Sequence, residues 1–132
     1  MGDGLNIERA INALITGSGV VAPLYHLGAP DNVKPPYITY RRISTNFEPT
    51  QLNISQLITA YVQVDIYDTN NIDLGTKAEL VRRKLSGYRF DKGPEGEISA
   101  CFPENDFQSF EWEEKLHRRT LMFRVMMREA TS

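Results

Sequence analysis

The chain has 132 residues and a mass of 15.0 kDa, with 41% hydrophobic and 24% charged residues, and 15 Lys and Arg against 17 Asp and Glu leave a formal charge of −2. Length and balance fit one domain, 1–132, able to bury about two-thirds of its unfolded surface without staples. No apolar run exceeds five residues, where a membrane span needs about 20, and a single cysteine, Cys101, excludes an intramolecular disulfide and a multi-cysteine zinc site.

The first six residues carry Asp3 and no basic residue, so they do not read as a secretory signal, and synthesis and assembly in a cytoplasm are expected. Asn6 breaks the myristoylation pattern that Gly2 would begin. The Asn53-Ile54-Ser55 sequon has no use without a secretory route.

Leu5 to Thr16 reads as an amphipathic helix: Ile7, Ile11, Leu14 and Ile15 recur at helical spacing while Glu8, Arg9 and Asn12 take the other side. Gly17-Ser18-Gly19 ends it. That GSG is no phosphate loop, because it follows a helix and lacks the Lys-Ser/Thr tail. From Val20 to Val33, Pro23, Gly28 and Pro30 leave room for a short edge strand around Leu24 to Leu27. Pro35-Pro36 imposes an extended entry into Tyr37-Ile38-Thr39-Tyr40-Arg41-Arg42-Ile43, a strand by its β-branched and aromatic content, whose two arginines suggest one wet face.

Ser44 to Asn53 shows no hydrophobic period and reads as an exposed, mobile loop with Phe47 and Leu52 as isolated apolar residues. From Leu57 to Tyr67 one parity is Ile58, Ala60, Val62, Val64 and Ile66, apolar throughout, which predicts a long half-buried strand. Asn70 or Asn71 then caps a helix to about Ser86, with Asp73 in its first turn, Leu74, Ala78, Val81 and Leu85 along one stripe, and Gly87 as its stop. Arg82, Arg83 and Lys84 suit its C-terminal dipole, and Glu79 to Arg83 is an i,i+4 pair.

Residues 91–96 read as a turn, Glu97 to Phe102 as a strand, and 103–114, with Pro103, Asn105 and Asp106, as an irregular stretch that the sequence leaves open between strand and loop. In the last element, from Lys115 to Glu129, Leu121, Phe123, Val125 and Met127 share one parity, while Arg118, Thr120, Arg124 and Arg128 share the other with Met122 and Met126. That second face is cationic and more apolar than a lone monomer needs. The order of elements predicts an α+β domain: a mostly antiparallel β-sheet with two α-helices packed on one face.

Catalytic chemistry finds little material. His26, His117 and Cys101 are the only residues of their kinds, and a Cys101–His117 dyad would require their strands to pair side by side without an oxyanion motif. Asp65, Asp68 and Asp73 are spread over a strand and a helix start, where Asp68 and Asp73 serve as turn and first-turn residues. No metal-ligand spacing occurs, so no metal and no cofactor is expected. Charge is segregated along the chain: nine basic against eight acidic residues over 1–90, one against eight over 91–114, and five against one over 115–132. A net acidic domain lacks the footprint for sequence-specific nucleic-acid binding. Segregation of this kind suits head-to-side association, an acidic segment of one copy against a basic face of the next.

The string Leu24-Tyr25-His26-Leu27-Gly28-Ala29-Pro30, then Pro36-Tyr37-Ile38-Thr39-Tyr40-Arg41-Arg42-Ile43-Ser44, then Val62-Gln63-Val64-Asp65-Ile66-Tyr67 running into a helix with Ala78, Leu80, Val81 and Leu85, resembles the small tail terminator or tail-completion proteins of long-tailed bacteriophages. The resemblance implies a virion protein with no catalytic residues, assembled in the host cytoplasm. Such a protein forms a ring, typically a hexamer, at the head-proximal end of the tail tube. There it stops polymerisation and offers the surface that joins the neck. Its implied partners are further copies of itself, the major tail tube protein and a head-tail connector or neck protein, with no membrane; genome DNA would pass through the ring. The resemblance would employ Arg118, Arg124, Met126 and Arg128 with Glu95 and Glu97 of the acidic segment between subunits, and Asn46, Phe47, Glu48, Gln51 and Leu52 as a contact loop for tube or neck. Residues 103–114, with Phe107, Phe110 and Trp112 among acids, do not map onto the family. A head-to-tail connector or neck protein is the neighbouring alternative; a small α+β ligand-binding domain, dimeric with a pocket between sheets, is the alternative of another class.

Overall fold

A computed structural model describes residues 7–48, 57–87 and 96–129. Helix α1 (Ile7–Thr16) leads into a short strand β1 (Leu24–His26), then β2 (Tyr37–Glu48), β3 (Leu57–Asp68), helix α2 (Asn71–Leu85), β4 (Gly96–Glu111) and β5 (Leu116–Glu129). The strands form one sheet in the order β1-β2-β3-β5-β4, in which β1 runs parallel to β2 and every other pair is antiparallel. The fold is therefore the α+β arrangement expected from the order of elements.

Alternation decides which face is covered. Ile38 and Tyr40 of β2, Ile58 to Ile66 at every second position of β3, and Leu121, Phe123, Val125 and Met127 of β5 form one buried cluster with Ile7, Ile11, Leu14 and Ile15 of α1 and Leu74, Ala78, Val81 and Leu85 of α2. Both helices thus share one face. α1 packs over β1 and β2, and α2 over β3, β5 and β4. The start of α2 is fixed by Asn70, whose side chain accepts hydrogen bonds from the amides of Ile72 (2.8 Å) and Asp73 (3.1 Å). Its end is followed by Gly87 at φ +74°, a conformation glycine adopts without a Cβ penalty. Asp68 accepts from the Asn70 amide and from Lys77 Nζ (2.9 Å), which ties the strand end to the helix.

Three expectations change. Ser44–Glu48 is not loop but the second half of β2, continuing past a bulge at Ile43 and pairing with Leu57–Tyr61. Its polar sequence follows from an edge position on that side, where nothing selects an apolar alternation. The stretch 103–114 is likewise strand as far as Glu111, since β4 pairs with β5 over its whole length with bulges at Ser99 and Glu104. Pro103 is tolerated because β4 is an edge strand and a bulge adjoins it. Arg41 and Arg42, being adjacent in a strand, point to opposite faces: Arg41 is exposed, while Arg42 turns to the helix side and forms a bidentate pair with Glu8 of α1 (2.8 and 2.9 Å). In keeping with the reading of the lone cysteine as a small hydrophobe, Cys101 lies opposite Val125, eight positions along β5 from His117, and the two form no dyad. The 91–95 turn falls outside the described residues.

Candidate functional site: the open face of the sheet

The face opposite the helices carries the alternate residues of the four long strands. Its cross-strand rows, from β2 through β3 and β5 to β4, are Tyr37–Tyr67–Arg118–Ser109, Thr39–Asp65–Thr120–Phe107 and Arg41–Gln63–Met122–Asn105, followed past the bulges by Ser44–Tyr61–Arg124–Phe102 and Asn46–Thr59–Met126–Ala100. No helix among the described residues covers it.

At one end of this face lies a polar centre. Asp65 is buried, and its carboxylate accepts from Thr120 Oγ1 (2.6 Å), Arg118 Nε (3.1 Å) and Gln63 Nε2 (2.7 Å). A buried charge with three donors is satisfied; without them it would be costly. Arg118 also lies over the Tyr67 ring, 5.6 Å from its centroid, and Tyr67 stacks on Tyr37 at 4.7 Å. Burial is the largest single influence on the Arg118 guanidinium and would lower its pKa, but the hydrogen bond to Asp65 together with the charges of Asp65, Tyr67 and Glu111 outweighs it and raises the value; burial pushes both tyrosine hydroxyls up. The segment 27–33, with Leu27 and Asn32 at positive φ, borders this centre, and between them lies a half-open cleft of about 390 Å³ lined also by Arg41 and Glu114. Sequence reasoning missed this centre. Its one signal is an acid in the middle of a strand, between Gln63 and Tyr67 on the polar parity.

The other end is more apolar. Met122 and Met126 are half-buried, and Arg124 lies over the exposed Phe102 ring at 5.1 Å. Arg124 Nε sits 3.6 Å from Glu104, too far for a hydrogen bond, and is a buried donor without a partner. At the Asp65 end, Phe107 is 48% exposed and Trp112, in the β4–β5 turn, 81%.

Three of the residues singled out from the sequence, Arg118, Arg124 and Met126, fall on one parity of β5, on this face. Arg128 lies in register with Glu97 of β4. The hairpin also pairs charges within one chain: Arg119 with Asp106, Arg124 near Glu104, and Arg118 3.9 Å from Glu111. Part of the charge segregation along the sequence is thus complementarity between β4 and β5. Asn46, Phe47 and Glu48 lie in β2, at the end of the sheet away from Asp65; Gln51, Leu52 and Glu95 lie outside the described residues.

Reactive groups are not gathered here. Cys101 is buried on the helix side, and burial pushes its thiol up to about 12, so the thiolate is scarce at neutral pH. Among the described residues no three His, Cys, Asp or Glu converge as a metal site, and no helix is long and apolar enough to cross a membrane.

A scan of protein-family models and a search of curated proteins find no match to the chain. Among solved structures it is similar to a chain of the "Virion of native gene transfer agent (GTA) particle", with a TM-score of 0.62 at 12% sequence identity, over 89% of this chain and 84% of that one. At that identity the likeness establishes a shared fold.

Proposed function

We propose that the protein is a non-enzymatic structural component of a phage-like particle that forms a closed ring, most simply a hexamer, on the head-proximal end of a tail tube, ends tube growth and joins the tail to the neck. The observation that carries this reading is the fold shared along nearly the whole chain with a chain of a gene transfer agent virion. The uncovered sheet face agrees with it: exposed Phe102 and Phe107 and half-buried Met122 and Met126 are surfaces that assembly would cover. Its partners are further copies of itself, the tube protein and a connector or neck protein; its place is the virion.

A tube grows because each ring offers its upper face to the lower face of the next. A ring that matches the tube below and presents a different upper surface ends the series. Small contacts repeated around the ring reinforce one another, so the ring binds far more tightly than one copy. Particles assembled without the protein are expected to carry tails of uncontrolled length, and adding it back should restore one length. Uniform tails in its absence would refute the reading.

The cleft beside Asp65 is the observation that favours a ligand-binding domain instead. Its principal charges, however, Asp65 and Arg118, are engaged with each other. Stabilisation of the protein against heat by a small metabolite would favour that alternative.

A further inference from the structure

Strand β4 is exposed in a way no other strand is. All eight residues from Phe102 to Ser109 are exposed, those of the helix parity as well as those of the open face. Two of them are phenylalanines, Phe102 at 39% and Phe107 at 48%. Its outer side has no strand partner among the described residues, so a row of backbone donors and acceptors is open there. The opposite side of the sheet is also open in part: β1 covers β2 only from Ile38 to Tyr40, which leaves the eight residues Arg41–Glu48 without a strand neighbour among those described.

We infer that these two runs are the two halves of the subunit contact, β4 of one copy pairing antiparallel with β2 of the next. The inference rests on the ring reading above and specifies its interface. Three features support it. First, β2, β3, β5 and β4 alternate in direction and are even in number, so the outermost two run in opposite senses. Copies related by rotation about an axis along the strands then present β4 to β2 in the antiparallel sense, with the helices of every copy on the same side. Second, the open edge of β4, Gly96–Glu111, is long enough to cover the whole of Arg41–Glu48. Third, the runs differ in the sign of their charge: Phe102–Ser109 holds Glu104 and Asp106, which also face Arg124 and Arg119 of their own chain, and no basic residue, whereas Arg41–Glu48 holds Arg41 and Arg42 against Glu48, with Arg41 exposed. Pairing β4 with a second β4 would instead bring acids together and yield a two-fold dimer. Pairing β4 with β2 is heterologous and closes into a ring when the rotation allows.

A charge exchange tests this. One variant carries Asn105→Lys and Phe107→Lys on β4; the other carries Arg41→Glu and Ser44→Glu on β2. All four positions are exposed, so folding is expected to survive, and far-ultraviolet circular dichroism checks it. Should a double variant misfold, the single substitutions Asn105→Lys and Arg41→Glu are used in the same way. By native mass spectrometry and negative stain, with tubes added where wild type needs them to close, each variant alone should lose the ring. An equimolar mixture should regain it with the two chains alternating. A ring formed by either variant alone, or folded variants whose mixture stays dispersed, overturns the edge contact while the wild-type ring stands. A wild type that forms no ring even on tubes overturns the ring reading itself.

Discussion

Asp65 and Arg118 meet diagonally across β3 and β5 on the face without helices, Arg118 Nε donating to Asp65 Oδ1 at 3.1 Å. The contact anchors a buried polar cluster on that face, because Thr120 and Gln63 donate to the same carboxylate. Replacing Asp65 with Ala leaves the Thr120 hydroxyl and a half-buried guanidinium without their acceptor. A loss of about 2–3 kcal/mol is expected, and less for Asp65→Asn, which keeps an acceptor. Urea unfolding midpoints measure both. Equal stability of wild type and Asp65→Ala would show that water replaces the carboxylate at no cost.

Asn70 holds the two amides that begin α2. Asn70→Ala is expected to cost about 1 kcal/mol, and Asn70→Asp to cost little, since aspartate caps as well and favours the positive end of the helix dipole. Thermal unfolding of the three proteins provides the comparison.

Cys101 is expected to be inert in the folded protein. It is buried against Val125 at the sheet core and its thiol titrates near 12. A thiol reagent at neutral pH should react only as fast as the protein opens, and fully once it is unfolded. Rapid stoichiometric labelling under native conditions would contradict the burial.

Acid should weaken two ties between helix and strand. The hydrogen bond from Arg42, the largest influence, holds the Glu8 carboxyl below its usual 4.5. Burial raises Asp68, but the Lys77 hydrogen bond and the Asn70 amide outweigh it and leave it below 3.8. Both values are lowered by folding. The stability they supply is complete above the unfolded values and is lost as pH falls through the folded ones. A Glu8→Gln, Asp68→Asn double variant should therefore be less stable than wild type at neutral pH, and the two curves should converge as pH falls below 4.5. Parallel curves would show that neither pair matters.

The sequence was most readable where burial imposes a period. β3 shows five apolar residues in alternation because α1 and α2 cover that face, and β5 does so for the same reason. Where burial is absent the period vanishes, and so did the strands. Asn105, Asp106 and Pro103 read as irregular because both faces of that part of β4 are exposed, and Thr45 and Asn46 read as a loop because that part of β2 lies at the other edge. What joins Asp65 to Thr120 and Arg118 is inter-strand register, a relation between residues more than fifty positions apart that no local pattern carries. Arg124 and Met126 were placed on the open face because alternation alone sufficed. Their neighbours Phe102 and Glu104 could not be found, since two bulges shift the register of β4.

The most direct test of the account is native mass spectrometry of the protein across a concentration series and in the presence of tail tubes, with negative-stain images of the same samples. The account predicts a closed ring, most simply six 15.0 kDa chains, free or seated on tube ends. A stable dimer, or a monomer that ignores the tubes, would contradict it.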